Sequence, residues 1–306
     1  MSAIIREQTK AQRRADLWRR IKKNWHAYLF ISPFYILFLV FGVFSFAFSI
    51  YVSFHRWDGL TPMRWLGIGN YVELFHDPYF FQTVKNTFIL LVLDFPLKVF
   101  TPLVLAVALN SALIKKRRGI YRTLFYLPEV TSAVVVAIVF KYFFKGDTSI
   151  VNYFIVQLGG SAVPWLTDPF WAKISLTILS GWWSQGYHML LYLAALQSIP
   201  DEVVEAAVVD GANRVQVFFK ITVPLLKPVI LFTSIITVMA GLQRYAEPLL
   251  LTNGGPARST QTMIMYLMSK AFGSYRLGYA TAAGYIIAMV TLVASLLQLK
   301  LQEDDK

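Results

Sequence analysis

Cysteine is absent from the 306 residues, which removes disulfides, thiol nucleophiles and Cys-ligated zinc and leaves the compartment open. Charge is scarce: Asp, Glu, Lys and Arg make up 15% of the chain against 56% hydrophobic residues, and the mean hydropathy is +0.52. Soluble domains rarely combine so much apolar sequence with so little charge, so a membrane-embedded class is expected. Histidine is rare as well, and the spacing of His26, His55, His76 and His188 makes no metal site. No Gly-x-x-x-x-Gly-Lys-Ser/Thr phosphate loop occurs, so a nucleotide triphosphate would have to be handled by another polypeptide. Enzymatic readings lose most of their support.

What the chain does have is charge-free runs of membrane length. A bilayer core about 30 Å thick takes roughly 20 apolar helical residues, and such runs predict an all-α integral membrane fold of about six transmembrane helices, at about 29–54, 86–110, 123–144, 173–195, 228–251 and 277–299. Pro96 and Pro102 in the second run imply kinks whose freed carbonyls neighbouring helices must satisfy. Residues 1–26 carry eight Lys and Arg interleaved with Leu17, Trp18, Ile21 and Trp25, the pattern of a basic amphipathic segment on the inner membrane surface. It is too long, and lacks the small-residue cleavage site, to be a signal peptide, so it is expected to be retained. Residues 301–306 form a short tail.

The net charge of +12 could, in a soluble protein, indicate nucleic-acid binding; here it serves to orient the chain, and no nucleic-acid partner is expected. The N-terminal segment, the 115–122 loop, the 198–224 block with Lys227, and the C-terminus hold 18 Lys and Arg, against 9 in the alternate loops. Basic loops stay inside, so both termini are expected in the cytoplasm of a multi-pass inner-membrane protein.

The block at 198–224 is the least ordinary stretch. Its punctuation reads as two short helices: Ser198 as a cap, Pro200 and Asp201 in the first turn, Gly211 as a left-handed stop, then a second helix from about Asn213 to Thr222 ending before Pro224. Ionisable residues inside spans are costly and are functional candidates by default. Asp94 and Lys98, four apart, suit either an intrahelical ion pair or a transport role. Arg244 and Glu247 could pair locally, or Arg244 could face the solute, where a guanidinium suits a carboxylate or phosphate.

Glu205-Ala206-Ala207, then Gly211, Ile221 and Val223-Pro224 resemble the EAA loop of binding-protein-dependent ABC transporter permeases, Val223 standing where the family usually has Leu. Gly67-Ile-Gly-Asn-Tyr71, Tyr121-Arg-Thr-Leu-Phe-Tyr-Leu-Pro128, Asp210-Gly-Ala-Asn213, Thr252-Asn-Gly-Gly-Pro256 and Gly278-Tyr-Ala-Thr-Ala282 resemble the maltose and glycerol-phosphate branch in order and placement. The resemblance implies a permease subunit of an ATP-driven importer of a sugar or sugar-like solute. It implies that Glu205, Ala206, Ala207, Asp210, Gly211, Ile221 and Pro224 couple to an ATPase, that Gly186, Tyr187, Thr237, Gly241 and Arg244 line the solute pathway, and that Asn253, Gly254, Gly255 and Pro256 meet an extracytoplasmic binding protein. The implied partners are that binding protein, a second and different permease chain, an ATPase dimer carrying ATP and Mg, and the lipid bilayer; the chain itself needs no cofactor. The competing readings are a multispan enzyme acting on lipid-linked sugars and a self-contained secondary transporter.

Overall fold

The computed structural model describes residues 18–19, 21–111, 117–147 and 149–303, except the side chains of 301–303. Most of the basic N-terminal segment, the Lys115–Lys116 pair and the last three residues of the tail therefore lie outside the described residues. Helix α1 is Trp25–Ser53, with a π-helical stretch over Phe38–Phe44. A two-stranded ribbon follows, β1 (His55–Arg56) against β2 (Arg64–Trp65), then α2 (Gly69–His76) and the 33-residue α3 (Pro78–Asn110). Next come α4 (Arg118–Val130), α5 (Ala133–Phe144), α6 (Ile150–Gln157), α7 (Pro169–Gln197) and α8 (Asp201–Val209). The chain closes with α9 (Arg214–Leu242), α10 (Ala246–Thr252), α11 (Met263–Met268) and α12 (Leu277–Glu303).

Four helices, α1, α3, α9 and α12, are each long and apolar enough to cross a bilayer, and the bent pair α4–α5 is a fifth such unit. Helix α7 has the length, 29 residues or about 44 Å at 1.5 Å per residue, but a more polar composition that includes Ser175, Ser180, Ser184 and His188. The expected count of six rests on counting it. Helix α1 exposes nearly all its apolar surface, Phe30 to 86%, which only lipid or an apolar partner tolerates.

Two spans differ from their expected continuity. The 123–144 run is not one helix: α4 and α5 meet at 97°. Thr131 and Ser132, polar residues that a hydropathy average absorbs, supply the break, and the Ser132 hydroxyl accepts the Val134 N–H at 3.3 Å as the cap of α5. The 228–251 run is likewise interrupted, between Leu242 and Ala246. Pro248 has no N–H to give to the Arg244 carbonyl four residues back, and the Thr262 hydroxyl donates to that carbonyl instead, at 2.7 Å. A freed carbonyl at membrane depth is tolerated only with such a replacement.

The second helix of the 198–224 block is also not separate. It runs from Arg214 through Pro224 into the membrane as one helix, α9, and the turn before the proline is π-helical, Phe218–Thr222. The wider turn moves away the carbonyl against which the proline ring would otherwise clash. Helices α3, α7 and α9 converge where Leu103, Ala106, Met189, Tyr192, Leu193 and Leu226 pack, and Ile199 and Phe218 join from the block, so this cluster marks the block end of the bundle. At the opposite, hairpin end, Asn70 donates to the carbonyls of Ser53 and His55 at 2.8 and 2.9 Å, and the Gly278 N–H to Trp57 O at 3.2 Å. The Asn70 bonds explain the Asn of the 67–71 motif, and Gly278 is required because a Cβ there would fall onto the His55 carbonyl oxygen; together they tie the ribbon to α2 and α12.

Candidate functional site

Midway along α3, Asp94 and Lys98 lie one turn apart, Lys98 Nζ being 3.4 Å from Asp94 Oδ2. The same oxygen is 2.5 Å from Arg244 Nη2 and accepts from the Ser180 hydroxyl of α7 at 3.1 Å. Arg244 Nε is in turn 3.6 Å from Glu247 Oε1. The α9–α10 break thus delivers Arg244 to α3, and four formal charges sum to zero around one carboxylate. Both local pairs foreseen from spacing are present, yet the shortest ion pair, Asp94 with Arg244, joins residues 150 positions apart and no local rule could reveal it. Arg244 is 5% exposed, so its guanidinium is a buried member of this network. Asp94 Oδ1, also buried, has no hydrogen-bond partner among the described residues.

The other residues placed on the solute pathway are distributed around this network. Thr237 is buried, its hydroxyl 3.3 Å from His188 Nε2. Gly241, the penultimate residue of α9 before the break, lies against the Leu91 side chain of α3. Gly186 is buried where α7 crosses α4: a Cβ there would fall onto the Phe125 carbonyl oxygen and 2.7 Å from Tyr126 Cα. Its role in this structure is therefore helix packing of the small-residue type. Tyr187 is half-exposed on the neighbouring face. Between α4 and α7 a groove of ≈ 470 Å³ is lined by Tyr121, Thr131, Trp182 and Gln185 among others.

In the 198–224 block, α8 has no buried residue; Glu205 and Ala206 are exposed and Ala207 is partly covered. Val209 is 86% exposed, an apolar side chain left without a surface to meet. Ser198 does not cap α8. It ends α7, its hydroxyl donating back to Ala195 O at 2.8 Å, and Pro200 stands at the α8 N-cap. Asp210 closes α8, Gly211 has φ +85°, and Asn213 and Gln216 form a reciprocal capping box that starts α9. Ile221 and Pro224 lie on α9 at its π turn. The block is a short exposed helix joined by a tight elbow to a helix that enters the membrane.

At the hairpin end, the 253–256 loop is held tightly. Asn253 (φ 50°) ends α10, the Gly255 carbonyl accepts from Thr260 Oγ1 at 2.8 Å, and Asn86 of α3 donates to Arg258 O and Gln261 O. Gly254 is buried, Gly255 and Pro256 are partly so, and Asn253 is exposed. Nearby, a cleft of ≈ 1050 Å³ opens between the ribbon, α2 and the start of α12. Two hydrogen bonds from Arg276, at 2.7 and 2.5 Å, hold the Glu73 carboxyl below its usual 4.5. The N–H groups of Thr61 and Leu60, with the Thr61 hydroxyl, hold Asp58 down to about 2. Burial pushes Asp77 up, but the Tyr266 hydroxyl, the Tyr79 N–H and Lys270 leave it below its usual value.

Sequence reasoning missed Ser180, His188 and Thr262 as members of the mid-depth site. Each is a polar residue in an apolar helix or loop, and polar residues within a run of apolar ones are the signal that could have found them.

Known proteins resemble this chain in sequence and fold. The family described as binding-protein-dependent transport system inner membrane component matches residues 99–303. The lactose transport system permease protein LacF of Rhizobium radiobacter is 37% identical over 278 residues, covering 89% of this chain and 92% of that one. The arabinooligosaccharides transport system permease protein AraP of Bacillus subtilis is 33% identical over 294 residues, 93% and 91% of the two chains. Among solved structures, a chain of a bacterial ABC transporter involved in the import of the acidic polysaccharide alginate superposes with a TM-score of 0.81 at 30% identity, over 94% of this chain and 99% of that one. A bacterial alginate ABC transporter in complex with an alginate pentasaccharide-bound periplasmic protein gives 0.79 at 30% identity, over 92% and 95%.

Proposed function

Since the chain belongs to the binding-protein-dependent transport system inner membrane components, permease subunits of ATP-driven importers of sugar-type solutes, we propose that its α8–elbow–α9 block transmits the work of a partner ATPase dimer to the solute pathway. The chain is the transport subunit, multi-pass in the membrane and not itself an enzyme. ATP and Mg sit on the partner subunits, a second permease completes the pathway, and both termini and the block face the cytoplasm, with the hairpin end outside. An extracytoplasmic binding protein delivers the solute to that end, where Asn253, Gly254, Gly255 and Pro256 lie.

The observation that carries this reading is mechanical. Helix α8 is exposed along its length, while α9 is one continuous helix from the elbow to the break that positions Arg244. A push on α8 therefore reaches the mid-depth network through a rigid element, the kind of rigid-body transmission that ATP-driven closure needs. The balance of Asp94, Lys98, Arg244 and Glu247 favours a neutral glycan over an acidic one, because no uncompensated cation is left for a carboxylate.

Glu205→Arg reverses an exposed charge without touching the membrane core. In the assembled importer it is expected to lower ATP-driven solute uptake at least about tenfold, equivalent to about 1.4 kcal/mol of lost coupling, with the chain still inserted in the membrane. Uptake by this variant at the unsubstituted rate would remove the block from the coupling path.

A further inference from the structure

Arg56 and Arg64 are register partners across the two-stranded ribbon, side by side on β1 and β2. Like charges directly opposite each other destabilise a strand pair, so this juxtaposition needs a compensating acid. The cleft contains two acids, and both are already engaged: Glu73 by Arg276, and Asp58 by the N–H groups of its own turn. Arg56 and Arg64 are both exposed and have no ion-pair partner among the described residues.

The placement runs against topology. Lys and Arg avoid the outer loops of a membrane protein, and arginines kept there against that bias call for a use. The ribbon is also fixed in position. Leu66 donates to Phe54 O at 2.9 Å, Asn70 to Ser53 O and His55 O, and Gly278 to Trp57 O, so the two guanidinium groups stand on a prearranged ledge.

We propose that the Arg56–Arg64 ledge is the seat for an acidic surface segment of the extracytoplasmic binding protein, distinct from the 253–256 loop. Charge selects the partner: two unpaired guanidinium groups on one face, each able to take a carboxylate through two N–H groups, suit a pair of Asp or Glu side chains. This rests on the importer reading above. Contacts of this rim type act mainly on encounter rate and salt dependence.

The test uses the complete importer reconstituted with its own binding protein, reading ATP hydrolysis as a function of binding-protein concentration. The double variant Arg56→Glu/Arg64→Glu is expected to raise the half-saturating concentration about tenfold or more, a deficit that saturating binding protein makes good, while Arg56→Lys/Arg64→Lys stays near the unsubstituted value. Raising the salt from 50 to 300 mM is expected to weaken the unsubstituted importer and to relieve part of the Glu variant's deficit, because it screens attraction in the one and repulsion in the other. An unchanged half-saturation in the Glu variant overturns the proposal. So does loss of the second permease on purification of that variant, which would make the ledge a subunit contact. If the unsubstituted importer shows no stimulation by binding protein at all, it is the importer reading that fails.

Discussion

Asp94→Leu is expected to strip the folded chain from the membrane fraction almost completely. Asp94 is 1% exposed and is the common partner of Lys98, Arg244 and the Ser180 hydroxyl. Removing it leaves two cations at mid-depth, Arg244 with Glu247 3.6 Å away and Lys98 with, among the described residues, no carboxylate closer than the more distant Glu247 and Glu129. Breaking a buried pair by deleting one member costs about 3–5 kcal/mol, because the survivor stays desolvated and uncompensated. That is a large share of the total stability of a typical domain, about 5–15 kcal/mol. The double variant Asp94→Leu/Lys98→Leu removes one charge of each sign and keeps Arg244 beside Glu247, so it is expected to recover most of the lost protein. Yield of monodisperse protein in detergent, with thermal unfolding of whatever survives, reads both. A single variant as stable as the parent would show that water or a neighbouring subunit, and not Asp94, compensates the two cations.

Gly186→Val is expected to be nearly as damaging, for a different reason. The atoms that a Cβ would strike, Phe125 O and Tyr126 Cα, belong to the backbone of α4 and cannot rotate away as a side chain can. Helices α4 and α7 must therefore separate, which sacrifices their close packing, and inserting atoms into a packed contact costs about 1–3 kcal/mol or more. Gly241→Ala is the internal comparison: its Cβ meets the tip of the Leu91 side chain, which can change rotamer, so its loss is expected to be much smaller. Melting temperatures of the two purified variants in one detergent decide the matter. Equal shifts would mean that α4 moves freely on α7 and that the crossing is not fixed by Gly186.

How much of this was legible in the sequence differs by kind of signal. Long apolar runs marked the places of α1, α3 and α12, because a single period carries through each. The two breaks were hidden because a hydropathy average treats Thr131-Ser132 and Gln243-Arg244-Tyr245 as small dips, although Pro248 was a local signal that the Arg244 carbonyl would be freed. The elbow at Gly211 was readable from punctuation, but Pro224 was over-read as a stop, since a π turn ahead of it lets the helix continue. At the mid-depth site, spacing shows Asp94 with Lys98 and Arg244 with Glu247. That these two pairs form one network depends on α3 meeting α9, as the close approach of Gly186 to Phe125 and Tyr126 depends on α7 crossing α4. Contacts between helices distant in sequence have no local period to reveal them.

The central claim, that this chain is a permease moved by ATPase partners, is tested most directly by solute uptake into proteoliposomes holding the chain with its second permease, binding protein and ATPase subunits. Lactose and arabinooligosaccharides, the solutes named for its relatives, are the probes to begin with. Accumulation is expected only with ATP and with the ATPase subunits present, and the purified chain alone is expected to hydrolyse no nucleotide, since it carries no phosphate loop. Uptake that continues unchanged when the ATPase subunits are omitted would contradict the account.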